Sequence, residues 1–158
     1  PRRISPEAWK ALLPHHVADG VGAWGQANAN GHGFAVLVRR LGAGVSFTDS
    51  TKAVPGDFMK IWWNDKVGAS ERGHLVILVK DLGDSVRVWS SNQAGKDTPA
   101  GFGYKTFSKS SMSRVLYTRI TRPAAFNNAP KAGTDEWLQS LLKKDVSWEE
   151  CLQHAGAR

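Results

Sequence analysis

The feature that most constrains this chain is the order of its apolar segments, because one continuous apolar run precedes several short β-rich ones. Residues 34–41 (FAVLVRRL) are apolar on most sides, follow a glycine-rich stretch and stop at Gly42. Glycine commonly follows the last turn of a helix, and paired arginines suit the negative end of its dipole. The run therefore predicts a buried helix, although eight apolar residues could also form a strand.

The middle of the chain has the pattern of an antiparallel sheet. Four short segments rich in β-branched or aromatic residues are separated by turn residues: 56–63 (GDFMKIWW), 74–79 (HLVILV), 85–90 (SVRVWS) and 114–120 (RVLYTRI). Residues 82–84 (LGD) predict a tight hairpin between the second and third segments. We therefore expect an α+β fold in which the 34–41 helix packs on a meandering, largely antiparallel sheet.

Both ends of the chain have helical signals. Ser5, followed by proline, predicts an N-terminal helix, and the apolar spacing at 137–142 predicts an amphipathic one. Residues 147–150 (SWEE) form a capping box that opens a last short helix. Residues 18–33 are typical of a long loop and residues 123–134 of a linker. The expected organisation is one domain over 1–158, with a core at about 18–122 and a C-terminal helical appendage at about 134–155.

The charge and cysteine content limit the classes of partner. A formal charge of +7 and a pI of 9.8 favour polyanions such as nucleic acid, a membrane surface or an anionic cell wall. A basic domain with no special partner is the alternative. The basic residues are scattered, so we do not expect nucleic acid as a partner.

No apolar run approaches the ~20 residues that span a bilayer, and no secretory signal is visible. The single Cys151 excludes an internal disulfide and a CxxC metal site.

Short polar motifs stand at the starts or ends of the predicted helix and strands. NGHGF (30–34) stands at the helix entry, and PGDF (55–58) opens the first strand. Gly73-His74 opens the next strand, and SSNQ (90–93) ends the one after it. This order resembles the papain-like NlpC/P60 and CHAP amidase superfamily, most of whose members cleave peptide or amide bonds of bacterial peptidoglycan. The resemblance covers about residues 22–122.

The resemblance implies a role for each motif. In that family the nucleophile is a cysteine at the N-terminus of the central helix, the histidine of Gly-His is the general base, and a polar residue on the next strand orients it. Gly31 then occupies the nucleophile position, His74 is the base, and Asn92 or Ser90 orients it. Gln26 would supply an oxyanion-hole amide, although its spacing suits a nucleophile at His32 equally well.

The physical logic of that site requires a thiol that the motif lacks. A helix N-terminus lowers the pKa of a thiol and stabilises an oxyanion, and a histidine can move a proton near neutral pH. Glycine at position 31 has no side chain and cannot attack a carbonyl. Three interpretations stay open: a replaced cysteine, a natural pseudoenzyme, or a register in which Ala27 or Ala29 is the substituted site.

Tryptophans accompany these motifs. Trp24, Trp62 and Trp89 lie in or beside the site segments, and with His32 they are the expected substrate-binding residues. Trp62 and Trp63 are adjacent and must point to opposite faces of a strand. We expect both in the core, with a helix covering one of them; the alternative is that one is buried while the other lines a groove where a sugar or peptide stacks.

These observations predict a papain-like cysteine amidase acting on peptidoglycan, inactive as written because the thiol is absent. The rival function is a non-catalytic module that binds a cell-wall glycan or an anionic polymer. Expected partners are a peptidoglycan or other cell-wall peptide and an immunity or carrier protein. An antibacterial effector or lysin would act after secretion or delivery to the periplasm or cell wall. We expect no cofactor and no metal, since His15, His16 and Asp19 offer only a weak ligand set.

Overall fold

A computed structural model describes residues 32–90, 103–128 and 135–157 of the chain. Its centre is a six-stranded antiparallel sheet with the strand order β1-β6-β2-β3-β4-β5. The strands are β1 (Gly44–Phe47), β2 (Phe58–Trp62), β3 (His74–Asp81), β4 (Ser85–Ser90), β5 (Gly103–Ser108) and β6 (Arg114–Ile120). Neighbours along the sheet from β2 to β5 are consecutive in the chain, which is a meander.

Three α-helices are described: α1 (His32–Arg40), α2 (Glu136–Ser140) and α3 (Trp148–Ala155). The turn that follows α1 contains Gly42, whose φ of 57° is the left-handed conformation that glycine tolerates. The N–H groups of Gly42 and Ala43 donate to the carbonyls of Arg39 and Val38, so two carbonyls of the last turn are satisfied. Helix α3 begins with its capping serine, because Ser147 Oγ accepts the N–H of Glu150 at 3.1 Å.

The α+β prediction is confirmed, with the expected helix and all four expected strands present. The hairpin at 82–84 and the N-cap serine at 147 also occur as expected, although the carboxylate of Glu150 accepts from Trp137 Nε1 rather than closing the capping box. Two strands, β1 and β5, were not foreseen. The expected linker at 123–134 instead begins with a 3-10 helix, Pro123–Asn128. The N-terminal helix predicted at Ser5 lies outside the described residues.

The two faces of the sheet bury different groups. On one face Trp62 and Leu116 pack against Ala35 of α1 and against Cys151 and Ala155 of α3. We call this the helix face. The opposite face carries a second apolar cluster, made of Phe47, Met59, Ile61, Val76, Leu78, Val86, Val88 and Tyr117. Ala53 and Met112, beside two short 3-10 helices, pack against that cluster. We call this the open face.

Candidate functional site

His74 is the first residue of β3 and lies on the open face. Its register partner on β2 is Ile61, and directly paired residues of antiparallel strands share a face. Gly73 before it has a φ of 60°. A Cβ at Gly73 would lie 2.4 Å from the carbonyl oxygen of Ile61, so only glycine allows the chain to approach β2 this closely. The glycine before His74 is therefore required by the close packing of β3 on β2, whatever the chemical role of the histidine.

The imidazole of His74 is held by a serine. His74 Nε2 lies 2.8 Å from Ser90 Oγ at the end of β4. Ser90 is 1% exposed while His74 is half-buried, so the serine lies beneath the ring. Burial lowers the pKa of His74, and the positive charges of Lys60 and Lys105 lower it further. The ring is therefore neutral at pH 7, with one nitrogen able to accept a proton.

Aromatic and basic side chains surround the imidazole. Phe107 of β5 meets the His74 ring edge to face, with centroids 6.5 Å apart. Trp63 packs against the same phenylalanine at 5.1 Å and stays 38% exposed. Lys105 Nζ lies 5.2 Å from the Phe107 ring. We call Trp63, His74, Ser90, Lys105 and Phe107 the His74 cluster.

The His74 cluster and helix α1 lie on opposite faces of the sheet. Ala35 of α1 packs in the cluster that contains Trp62, whereas Ile61, the register partner of His74, belongs to the other cluster. Side chains of successive residues in a strand point to opposite faces of the sheet. Because Trp62 contacts the cluster of α1 and Ile61 lies beside His74, the helix and the histidine are on opposite faces. In the papain-like arrangement the histidine faces the N-terminus of this helix. In this domain the described part of α1 lies on the face of the sheet away from His74.

The described residues include some of the predicted site positions. Trp24, Gln26, Gly31 and Asn92 lie outside them, as do His15, His16 and Asp19. His32 is the first residue of α1.

The two described tryptophans of the predicted site lie on the helix face. Trp62 is 0% exposed and packs edge to face against Trp148 at 5.3 Å, so it is a core residue and offers no surface to a ligand. Trp89 is 38% exposed and pairs with Ile77 and Tyr104, on the face away from His74. Trp63, which was not among the predicted binding residues, is the tryptophan that lies near His74, since both rings contact Phe107.

The chemistry of the His74 cluster is that of binding and proton exchange. Its imidazole can accept or donate a hydrogen bond, and Lys105 provides a fixed positive charge. Ser90 Oγ is too deeply buried for a carbonyl carbon to approach it. Cys151 is 0% exposed on the helix face, and burial raises the pKa of its thiol, which makes it a poor nucleophile.

Within residues 32–90, 103–128 and 135–157, no three histidine, cysteine or acidic side chains come together as metal ligands. None of the helices in those ranges is long and apolar enough to cross a bilayer.

Sequence reasoning missed the β5 half of the cluster. Lys105 and Phe107 belong to β5 (GYKTFS, 103–108), where they are two residues apart and so share a face. The segment has no apolar alternation, because Tyr104 and Phe107 are three residues apart, so its aromatic and β-branched residues were the one signal for a strand.

Comparison with known proteins adds no assignment: the chain matches no protein-family model, no curated protein and no solved structure.

Proposed function

We propose that this domain is a non-catalytic binding module that recognises cell-wall glycopeptide through the His74 cluster. The observation that carries the proposal is that Trp63, 38% exposed, and Lys105 both lie against the ring of Phe107. Phe107 fixes the indole at 5.1 Å, so little side-chain entropy is lost when a ligand stacks on it. An apolar ring face with a few convergent polar groups is the usual composition of a ligand site.

The ligand class follows from the chemistry of each group. The indole presents a flat apolar surface to the C–H face of a sugar ring. Lys105 attracts a carboxylate of the ligand, and the neutral imidazole of His74 exchanges a hydrogen bond with a hydroxyl or amide. Peptidoglycan fragments combine sugar rings, peptide amides and carboxylates. The basic character of the whole chain favours the same anionic ligands.

The test compares two tryptophans of equal exposure. Trp63 and Trp89 are each 38% exposed and lie on opposite faces. Soluble peptidoglycan fragments, titrated by calorimetry, should bind the Trp63→Ala variant at least about tenfold more weakly, while Trp89→Ala should bind like the parent protein. A neutral chitin oligosaccharide should bind more weakly than the carboxylated fragments. Equal effects of the two substitutions, or loss with Trp89→Ala alone, would reject the proposed site.

A second function, a papain-like amidase that lacks its thiol, is supported by the bond between His74 and Ser90. A general base needs a polar partner that fixes its ring, and Ser90 lies 2.8 Å away in that role. The position of His74 on the face away from α1 counts against this function. For that reason we rank it second.

The amidase reaction can be tested by supplying the nucleophile. As written, the protein should give no measurable amide cleavage, since residual effects without a nucleophile are on the order of 10³–10⁴ over water in serine-protease precedents. The Gly31→Cys variant should release peptidoglycan fragments, detected by mass spectrometry, and a further His74→Ala change should abolish release. A folded Gly31→Cys protein that stays inert would exclude position 31 as the nucleophile site, and the amidase is excluded if cysteine at 27, 29 and 32 is inert as well.

A further inference from the structure

A cleft of about 580 Å³ lies beside β1, at the edge of the sheet farthest from Lys105 and Phe107. Its walls are β1 itself and the end of α3. Three basic side chains, Arg39, Lys52 and Arg119, line it. Val45 also lines it and is 54% exposed, more than is usual for valine. We call this the β1 cleft.

Strand β1 ends the sheet, and no other strand among residues 32–90, 103–128 and 135–157 pairs with its outer edge. The N–H of Thr121 donates to the carbonyl of Ala43, so that carbonyl faces β6, while the N–H of Ala43 donates to the carbonyl of Val38 in α1. In an antiparallel strand, the N–H and C=O groups of successive residues point alternately toward and away from the neighbouring strand. The N–H and C=O of Gly44 and Ser46 therefore point away from β6, toward the β1 cleft that both residues line, where Gly44 is half-buried and Ser46 is 7% exposed. An extended peptide could form main-chain hydrogen bonds with these groups.

The two guanidinium groups of the cleft are fixed by main-chain carbonyls. Arg39 Nη1 donates to the carbonyls of Gln153 and His154 at 2.5 and 3.1 Å. Arg119 Nη2 donates to the carbonyl of Lys52 at 2.7 Å. Arg119 also holds the buried carboxylate of Asp57 through Nε and Nη2. Within the described ranges, the remaining N–H groups of Arg39 and the Nη1 group of Arg119 make no hydrogen bond, so they can receive a carboxylate.

We propose that the β1 cleft binds an acidic, extended peptide segment of a partner protein, which adds to β1 as a further strand. Main-chain bonds to Gly44 and Ser46 supply the register, and alternate acidic side chains reach Arg39 or Arg119. The chain's own segments outside the described ranges, 1–31, 91–102 and 129–134, carry no net negative charge. Charge complementarity therefore favours a separate acidic partner over these segments. The inference is independent of the His74 cluster.

The probe is a synthetic five-residue peptide, acetyl-Val-Glu-Val-Glu-Val-amide, measured by NMR chemical-shift titration against the intact chain. The acidic peptide should bind and shift the amide signals of Gly44 and Ser46, while a lysine-substituted counterpart should bind at least about tenfold more weakly. N-methylation of one alternate set of peptide amides should abolish binding, and methylation of the other set should not, because only one set faces β1.

Two matched variants complete the test. Val45→Glu introduces a negative charge in the cleft and should weaken binding of the acidic peptide about tenfold or more. Val54→Glu, at a valine that is 46% exposed and outside the cleft lining, should bind like the parent. The proposal is overturned if no binding is seen at about 1 mM peptide, if both N-methylated peptides bind equally, or if Val45→Glu has no effect.

Discussion

The ammonium group of Lys60 donates a 2.5 Å hydrogen bond to the backbone carbonyl of Arg72, two residues before His74. Lys60 is 1% exposed and lies 5.5 Å from the ring of Trp62 on the helix face. Burial lowers the pKa of Lys60 from 10.5 to about 7, although Glu71 opposes the change. A lysine in this position is partly neutral at physiological pH, which is unusual for the residue.

Replacement of this buried lysine should stabilise the domain at neutral and acidic pH. The unfolded chain binds the lysine proton up to pH 10.5 and the folded chain only up to about 7. Stability therefore rises with pH between these values, and below pH 7 the full penalty applies. That penalty is on the order of 3–5 kcal/mol, and loss of the donor to Arg72 offsets roughly 1–3 kcal/mol of it. Lys60→Met should therefore gain about 1–3 kcal/mol at pH 6.

The measurement is urea denaturation of both proteins at pH 6, 8 and 10. The gain from Lys60→Met should shrink steadily as pH rises and should vanish or reverse near pH 10. Lys80→Met, at an exposed lysine of β3, is the control and should show no such trend. A gain that does not depend on pH would mean that packing, rather than the charge, explains it.

A second prediction concerns Gly73, where both a positive φ and a close contact with β2 require glycine. Gly73 and Gly83 both have positive φ values, 60° and 87°. A Cβ at Gly73 meets the carbonyl oxygen of Ile61 at 2.4 Å, whereas nothing lies within 4 Å at Gly83. Gly83→Ala should therefore cost only backbone strain, about 1–2 kcal/mol. Gly73→Ala should cost about 3 kcal/mol or more, because β3 must also move from β2.

Urea midpoints of the two glycine variants give that comparison directly. The Gly73→Ala variant should also shift the NMR signals of the His74 ring, since the change displaces the start of β3. Equal losses of stability in the two variants would show that the close approach to Ile61 is unimportant.

Local sequence signals predicted the central elements of the fold because they act over a few residues. The glycine after the last turn at Gly42, the turn at 82–84 and the capping serine at Ser147 each satisfy backbone groups nearby. Strand β1 has only four residues, and its stability depends on pairing with β6, 70 to 76 residues away along the chain. Short strands held by such distant partners leave little local signal.

The candidate site could be predicted only in part for a similar reason. Gly73, His74 and Ser90 were identified because they open or end strands. The face on which His74 lies depends on its register with Ile61, and a slip of one residue would reverse it. Sequence spacing does not fix that register, so the expectation that His74 faces the helix entry could not be tested before the strands were paired.

The third prediction concerns the charge around His74. Burial and the charges of Lys60 and Lys105 lower its pKa below 6.5. The unfolded state therefore binds more protons just below pH 6.5, and stability falls as pH decreases through that window to the folded pKa. Lys105→Gln should raise the pKa of His74 toward its usual value, measured by NMR titration of the ring protons at low salt. Arg87→Gln, on the helix face of β4, should leave it nearly unchanged.

Removal of the serine beneath the ring tests the same site. Ser90→Ala takes away the partner at 2.8 Å and leaves a buried ring nitrogen without it, at a cost of about 1–2 kcal/mol in stability. The ring should also become more mobile, seen as broadened His74 signals. If Ser90→Ala changes neither stability nor the ring signals, the bond between the two side chains has no role in solution.

The last prediction concerns the single thiol of the chain. Cys151 is 0% exposed between α3 and the helix face, and burial raises the pKa of its thiol, so almost no thiolate exists at pH 7. A disulfide reagent such as Ellman's reagent should label the native protein only as fast as the protein opens, and should label it at once in denaturant. Val45→Cys, at a residue that is 54% exposed, supplies the reactive control. Rapid labelling of Cys151 in the native parent protein would show an accessible thiol and would reopen Cys151 as a candidate nucleophile.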